Sequence, residues 1–236
     1  MPAIALNTAK VLNHCVRFLG VASLHLLLQF SEAAPTLQTV PASPVRLTAP
    51  QQEFLNLLAA AAVERTHHTV RYDPAYVRIP YPGGDVPAAT GVCTDEVIRS
   101  YRAVGIDLQK EVHQDMAAHF SAYPKKWGNA SRLSSREGTD PNIDHRRVPN
   151  LMVFFSRHGQ TLPLSADARD YRPGDLVAWN LGGAITHIGI VVDQRSQQSG
   201  RFLMVHNIGQ GPQMEDVLFN WKIIGHYRYF GSSIRQ

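Results

Sequence analysis

Apolar residues recur at helical spacing through the first half of the chain, beyond residue 47. The segment 48–68 predicts a first helix, with Thr48 at the N-cap position and apolar residues on one face at 55, 58, 59 and 62. A second helix is predicted to begin near Cys93 and to end at Gly105. Two further helices are predicted over residues 108–123 and 150–159. These patterns indicate a helical first half.

From Pro173 onward the pattern changes to short β-branched, aromatic and apolar runs separated by turn residues. Four strands are predicted, over residues 175–180, 187–193, 201–207 and 225–229. Helices followed by consecutive strands are typical of the α+β class. We therefore expect N-terminal helices packed on one face of a C-terminal antiparallel meander.

The remaining segments are polar or rich in proline and glycine. Residues 70–91 predict a structured loop with short extended pieces, and residues 124–149 predict a long polar loop. Residues 34–47 are dotted with proline and predict an extended linker. The domain itself is expected to cover residues 48–236 as a single unit.

The first 33 residues have the pattern of a secretory signal peptide. Lys10 and Arg17 precede an apolar run over residues 18–30, and small residues follow it at Ser31 and Ala33. An uncleaved anchor or a misassigned start are the alternatives. The signal predicts a periplasmic or secreted protein, with no stable membrane insertion after cleavage.

Composition and charge fit a globular protein with a mild preference for anionic partners. The chain has 236 residues, 44% hydrophobic and 18% charged, and a formal net charge of +4, with a pI of about 9.2. No dense run of Lys and Arg occurs, so we expect no nucleic-acid partner. No phosphate loop or dinucleotide fingerprint is present, and we expect no cofactor.

Cysteine usage draws attention to Cys93. The chain has two cysteines, and cleavage after about residue 33 would remove Cys15. The remaining cysteine would stand at the start of a helix, where the helix dipole favours a thiolate. A reactive nucleophile and a small buried hydrophobic residue are the two interpretations that this fact leaves open.

Two histidines lie at the ends of neighbouring predicted strands. His187 opens one strand and His206 closes the next. If the strands pair as a hairpin, the two imidazoles are neighbours at one end of the sheet. A base next to a cysteine, and a group that orients the base, are what nucleophilic catalysis requires.

The order of four motifs resembles the NlpC-type cysteine peptidases of the papain-like superfamily. These enzymes have a "DCSGF"-like helix start, a "PGDL" strand, an "HVGIY"-like strand and a "VHA"-like strand. This chain has "VCTDEV", "RPGDLVAW", "THIGIVVD" and "LMVHN" in that order. The phrases "YPGGDVPAATGVCTD", "DPNIDHRRVPN" and "VHNIGQGPQMEDVL" more closely resemble a bacterial domain-of-unknown-function family related to those peptidases.

The resemblance implies a papain-like fold over roughly residues 50–230 and assigns roles at the site. Cys93 would be the nucleophile, His187 the general base and acid, and His206 the orienting residue, with Asn207 as the alternative. Tyr81 would lie near the oxyanion, and Tyr72 is the second choice for that role.

Other candidates depart from the common pattern. Asp95 places a carboxylate near the thiol, which would raise the pKa of the cysteine by like-charge repulsion or favour the helix start. The segment Asp144, His145, Arg146 and Arg147 is either a solvated loop or a site for substrate carboxylates. Asp175 is expected to shape a turn. His113 and His119 are badly spaced for a shared metal ion, and we expect no metal site.

Together these features predict an exported cysteine hydrolase that cleaves an amide bond, with peptidoglycan stem peptides as the expected substrate. Endopeptidase and amidase activities are both compatible with the resemblance. An acyltransferase of the same superfamily would need the same residues. A non-catalytic wall-binding module is the alternative from another class.

Overall fold

The computed structural model describes residues 46–124 and 138–232. The expected signal peptide, most of the expected linker, Cys15 and residues 125–137 of the expected polar loop lie outside the described residues. The described residues all belong to one compact unit.

Helix α1 covers Ala49–Arg65 and begins as the sequence predicts. The Thr48 hydroxyl accepts the Gln51 N–H at 3.4 Å, and the Gln51 side chain accepts the Thr48 N–H at 3.0 Å. This reciprocal pair satisfies two backbone donors that a helix start otherwise leaves unpaired. The buried face carries Phe54, Leu55, Leu58, Ala59 and Ala62.

Three more α-helices follow α1 in the described residues. Helix α2 spans Cys93–Ala103, α3 spans Leu108–Ala118 and α4 spans Val148–His158. The α-helix α3 ends earlier than predicted, and a single 3-10 turn follows at Phe120–Ala122. Another 3-10 turn, Asp144–Arg146, leads into α4, so the described part of the predicted 124–149 loop contains short helical structure.

Two sheets are present in the described residues. Strands β1 (Arg71–Tyr72) and β2 (Thr90–Gly91) form a short parallel pair next to the start of α2. The larger sheet is antiparallel and has the order β3-β8-β4-β5-β6-β7. Its strands are β3 Gln160–Thr161, β4 Leu176–Gly182, β5 Ile185–Arg195, β6 Phe202–Asn207, β7 Pro212–Glu215 and β8 Lys222–Arg228.

The sheet corrects the predicted meander in two respects. Strands β4 to β7 do run as a meander, but β8 returns to the opposite edge of β4 and also pairs with β3. The sequence prediction lacked β7, whose four residues include an exposed glutamine and glutamate. The α+β class and the antiparallel sheet agree with the prediction.

The core lies on both faces of the large sheet. One cluster joins the helices to one face and contains Cys93, Ile98, Leu151, Ile188, Ile190 and Val205 among its members. The second cluster lies on the other face and is built around Trp179, Val191, Met204 and Tyr171. Alternate residues of β5 and β6 therefore point into different clusters, which decides where the site residues on these strands face.

Neither a membrane-spanning helix nor a metal cluster is found within residues 46–124 and 138–232. No helix there combines the length and apolar character that crossing a bilayer requires. No group of three His, Cys, Asp or Glu side chains there is arranged to hold a metal ion.

Candidate active site

The site is built where the first turn of α2 meets the beginning of β5. Cys93 is the first residue of α2 and is 5% exposed. The backbone N–H of Ile188 faces its sulfur, as do the N–H groups of Thr94 and of Cys93 itself. The thiol therefore lies directly beside the residue that follows His187 in β5.

The thiol is neutral in the folded protein. Burial raises the pKa of Cys93 to about 12, Asp95 adds to the increase, and the N–H groups around the sulfur oppose it. The sequence pattern predicted a thiolate favoured by the helix start. Removal of the sulfur from water outweighs that effect here.

His187 and His206 are hydrogen-bonded neighbours, as the hairpin geometry predicted. Nε2 of His187 lies 2.9 Å from Nδ1 of His206, and both rings are buried. Burial, with the second imidazole as a smaller cause, lowers the pKa of His187 to about 3. Burial also lowers the pKa of His206, while Glu215 opposes the shift. Both rings are therefore neutral at physiological pH.

Glu215 extends this pair into a three-membered chain that the sequence analysis missed. Its Oε2 lies 3.0 Å from Nε2 of His206. Because the carboxylate only accepts, Nε2 of His206 must donate, and Nδ1 of His206 must then accept from Nε2 of His187. This assignment leaves the lone pair on Nδ1 of His187. Glu215 could have been found in the sequence only through its place in strand β7, and that strand was not predicted.

Two tryptophans surround the imidazoles. Trp179 is paired with His187 across β4 and β5 and stacks on its ring, with centroids 5.7 Å apart and planes 26° apart. The indole N–H of Trp179 donates to the Leu218 carbonyl at 2.9 Å. Trp221 meets both histidine rings edge-on. The two indole rings fix the imidazole rings of His187 and His206 and exclude water from them.

Asn207, the alternative orienting residue, does not hold His187. Nε2 of His187 is bonded to His206, and the Asn207 Oδ1 accepts the Gly209 N–H at 3.2 Å in the turn after β6. Within the described residues, the side chain that holds Nε2 of His187 is that of His206.

The two candidate tyrosines differ in their contacts. Tyr81 packs edge-on against His113, with centroids 5.0 Å apart. Tyr72 lies opposite Gly91 in the β1–β2 pair. Burial raises the pKa of Tyr72 to about 12, and Cys93 and Asp95 contribute. The structure thus brings Tyr72, the second choice, into the electrostatic environment of the thiol.

The expected substrate-binding segment is largely internal. Asp144, His145 and Arg146 are all buried, and Asp144 Oδ2 is 2.8 Å from Nδ1 of His113. Burial raises the pKa of Asp144 to about 6 and lowers that of His145 to about 3. These three side chains are committed to the interior, so the expectation that they bind substrate carboxylates does not fit the structure.

The remaining member of that segment, Arg147, is half-buried at the start of α4. Burial, with Arg146 as a further cause, lowers its pKa. It lies on the same segment, beside the buried Arg146.

Arg146 forms a buried ion pair with Asp95, the residue whose charge stands near the thiol. The guanidinium meets the carboxylate through Nε at 2.8 Å and Nη2 at 3.0 Å. Asp95 Oδ2 also accepts the Val92 N–H at 2.7 Å, and the Thr94 hydroxyl donates to the Arg146 carbonyl at 3.2 Å. Asp95 therefore caps α2, and Arg146 balances its charge while tying the first turn to the segment before α4.

Asp175 is a structural residue, as expected. It accepts from the Arg172 N–H at the start of β4 and from the buried side chains of His226 and Arg228 on β8. This network fixes β8 against β4.

Comparisons with known proteins place the chain in a family. Residues 59–229 match the family described as "Domain of unknown function (DUF1287)". The chain is 47% identical over 212 residues to "Uncharacterized protein YijF" of Escherichia coli (strain K12), an alignment that covers 89% of this chain and 98% of that protein. No solved structure matches significantly. The chain belongs to the DUF1287 family.

Proposed function

We propose that this protein is a cysteine hydrolase of papain-like, NlpC type that cleaves an amide bond. The observation that carries the proposal is one geometry. A thiol at a helix start lies next to the chain neighbour of a histidine whose far nitrogen is held, through His206, to Glu215. A nucleophile, a base and an orienting group are the three parts that acyl transfer requires.

In the proposed reaction the thiol and His187 begin as a neutral pair. The Cys93 sulfur attacks the amide carbonyl while its proton passes to Nδ1 of His187. His187 then gives this proton to the leaving amine, and a thioester remains. A water molecule next attacks the thioester, passing one proton to His187. The thiol recovers that proton when the carboxylic acid leaves.

The hydrogen-bond chain supports the base role of His187. The cation formed on His187 donates to His206, and His206 donates to the Glu215 carboxylate, so the new charge is stabilised through two bonds. The stacked Trp179 fixes the ring. An amine in place of water would make the same site an acyltransferase.

The substrate we propose is a peptidoglycan stem peptide, which the protein would cleave outside the cytoplasm. This part of the proposal rests on the motif resemblance and on the signal-like N-terminus, together with the basic pI of about 9.2. The site geometry supports amide cleavage in general and does not select the bond.

A non-catalytic wall-binding module is the second candidate, and one observation favours it. Cys93 is 5% exposed and its pKa is raised to about 12, which is typical of an inert structural cysteine. Catalysis requires the substrate or a small movement to open access to the sulfur.

Digestion of isolated peptidoglycan sacculi and defined muropeptides, read by mass spectrometry, tests the proposal. We expect new fragments with the wild-type protein and none with Cys93→Ser or His187→Ala. His68→Ala is the matched control, because His68 is an exposed histidine after the end of α1, and it should cleave normally. Fragments that persist in Cys93→Ser would remove the cysteine mechanism. Wall binding without fragments would favour the second candidate.

A further inference from the structure

The side-chain amide of Asn207 contains a buried donor without a partner. Asn207 is 0% exposed, and its Oδ1 accepts the Gly209 N–H. Among the residues that the structure describes, its Nδ2 has no hydrogen-bond partner. Leaving a buried donor unpaired destabilises the folded protein. Such a group in a native protein is explained by a water molecule, an ion or a ligand that pairs with it.

The register of β5 and β6 places Asn207 opposite the residue that faces the Cys93 thiol. Ile190 pairs with Val205 and Val191 with Met204. Carried two residues further, the same register sets Ile188 opposite Asn207. Ile188 is the residue whose backbone N–H faces the Cys93 sulfur. The sulfur therefore lies at the point where the end of β6 faces β5.

The two polar residues at the end of β6 point to opposite faces of the sheet. His206 lies on the face of Met204 and Trp179, and its Cβ is 3.1 Å from the position that a Cβ on Gly189 would take. Asn207 alternates with it and shares the face of Val205, whose core cluster includes Cys93. His206 thus bonds to His187 on one face and Asn207 lies on the other. The sulfur faces the backbone N–H of Ile188 at this same end of the sheet.

We propose that Nδ2 of Asn207 is a catalytic donor that binds the carbonyl oxygen of the substrate and the oxyanion formed when Cys93 attacks. The Gly209 N–H holds the amide oxygen, so the nitrogen is the end that remains for a ligand. The ligand class is a planar acyl group, an amide or an ester, with its oxygen between Nδ2 and the first turn of α2. The inference rests on the proposed function.

Two reactions of the Cys93 thiol distinguish an oxyanion donor from a residue that affects the thiol or the fold. Acylation by p-nitrophenyl acetate passes through an oxyanion, whereas alkylation by iodoacetamide does not. The measured quantity is the ratio of the two second-order rate constants, followed as p-nitrophenolate release and as mass gain on Cys93. Loss of an oxyanion donor typically slows acyl transfer about 10²–10³-fold, and we expect the ratio to fall by that order in Asn207→Asp and Asn207→Ala.

The two variants and one control keep the test specific. Asn207→Asp retains the acceptor for Gly209, and Asn207→Ala avoids a new charge. Asn180→Asp is the matched control, because Asn180 Oδ1 accepts the Gly182 N–H in the same way but its Nδ2 already donates to the Gly183 carbonyl. The control should keep the wild-type ratio.

Two other outcomes would contradict the donor role of Asn207 or the proposed function. If both reactions slow together and the ratio stays constant, Asn207 acts on the thiol or on the fold, and the donor role is wrong. If the wild-type thiol reacts with neither reagent, or reacts equally in His187→Ala, the proposed function fails and this inference fails with it.

Discussion

The ion pair between Asp95 and Arg146 provides the sharpest test of how the site is held. Both side chains are only 2% exposed, and two N–H···O bonds join them. Arg146 also donates to the Ala75 carbonyl at 3.2 Å. Replacing Arg146 by methionine keeps much of the side-chain volume but leaves the Asp95 carboxylate buried without its counter-charge.

The expected cost depends on that geometry. Removing one partner of a buried ion pair typically destabilises a protein by about 3–5 kcal/mol, because the other charge remains desolvated. The Val92 N–H still stabilises the carboxylate, so we expect the lower half of this range for Arg146→Met. The double variant Asp95→Asn/Arg146→Met removes both charges and keeps an acceptor for Val92. We expect it to recover most of the loss.

Urea unfolding followed by circular dichroism measures these differences. The matched control is Asp167→Asn, which breaks the exposed pair between Asp167 and Arg169 and should leave the urea midpoint almost unchanged. Strict additivity of the two single variants, with no recovery in the double variant, would refute the reasoning.

Three further variants test other parts of the structure. Glu215→Ala should slow alkylation of Cys93 about tenfold, the equivalent of one hydrogen bond. Glu215→Gln can still accept from His206 and should keep most of the wild-type rate. Equal rates in the two variants would contradict the role of the hydrogen-bond chain from His187 through His206 to Glu215. His145 has a folded pKa of about 3 against 6.5, so protonation of the unfolded chain removes stability as pH falls from 6.5 towards 3. At pH 5 this amounts to about 2 kcal/mol. Urea unfolding at pH 7 and pH 5 should show that His145→Gln loses less free energy of unfolding between these pH values than wild type does. An identical loss in both proteins would contradict the buried, neutral state of His145. Gly189→Ala would bring a Cβ to 2.8 Å from the Val205 carbonyl oxygen, so we expect its urea midpoint to drop by the equivalent of about 1–3 kcal/mol; an unchanged midpoint would contradict the close approach of β5 and β6.

Local patterns were sufficient to predict much of the fold. The Thr48 cap, the stop at Gly105 and the strands around His187 and His206 are set by residues close in sequence, so their periodicity and turn chemistry are visible in one chain. The adjacency of the two histidines required only that consecutive strands pair as a hairpin. The structure has that pairing between β5 and β6.

What the sequence did not predict depends on contacts between distant segments. Strand β7 has only four residues, too few for its alternation of apolar and polar positions to mark a strand, and Glu215 was missed with it. Arg146 resembles a surface arginine until Asp95, 51 residues away, is placed beside it. The neutral state of Cys93 likewise results from tertiary burial, which the helix-start argument does not include.

The central claim is that His187 activates a neutral Cys93 thiol, and the pH dependence of its alkylation tests that claim most directly. The pKa of the thiol is raised to about 12 and that of His187 lowered to about 3, so the neutral pair persists throughout pH 5–8. The rate of iodoacetamide labelling of the native protein should therefore be nearly flat over that range and fall sharply in His187→Ala. A rate that rises about tenfold per pH unit, equally in wild type and His187→Ala, would show an unassisted thiol and contradict the account.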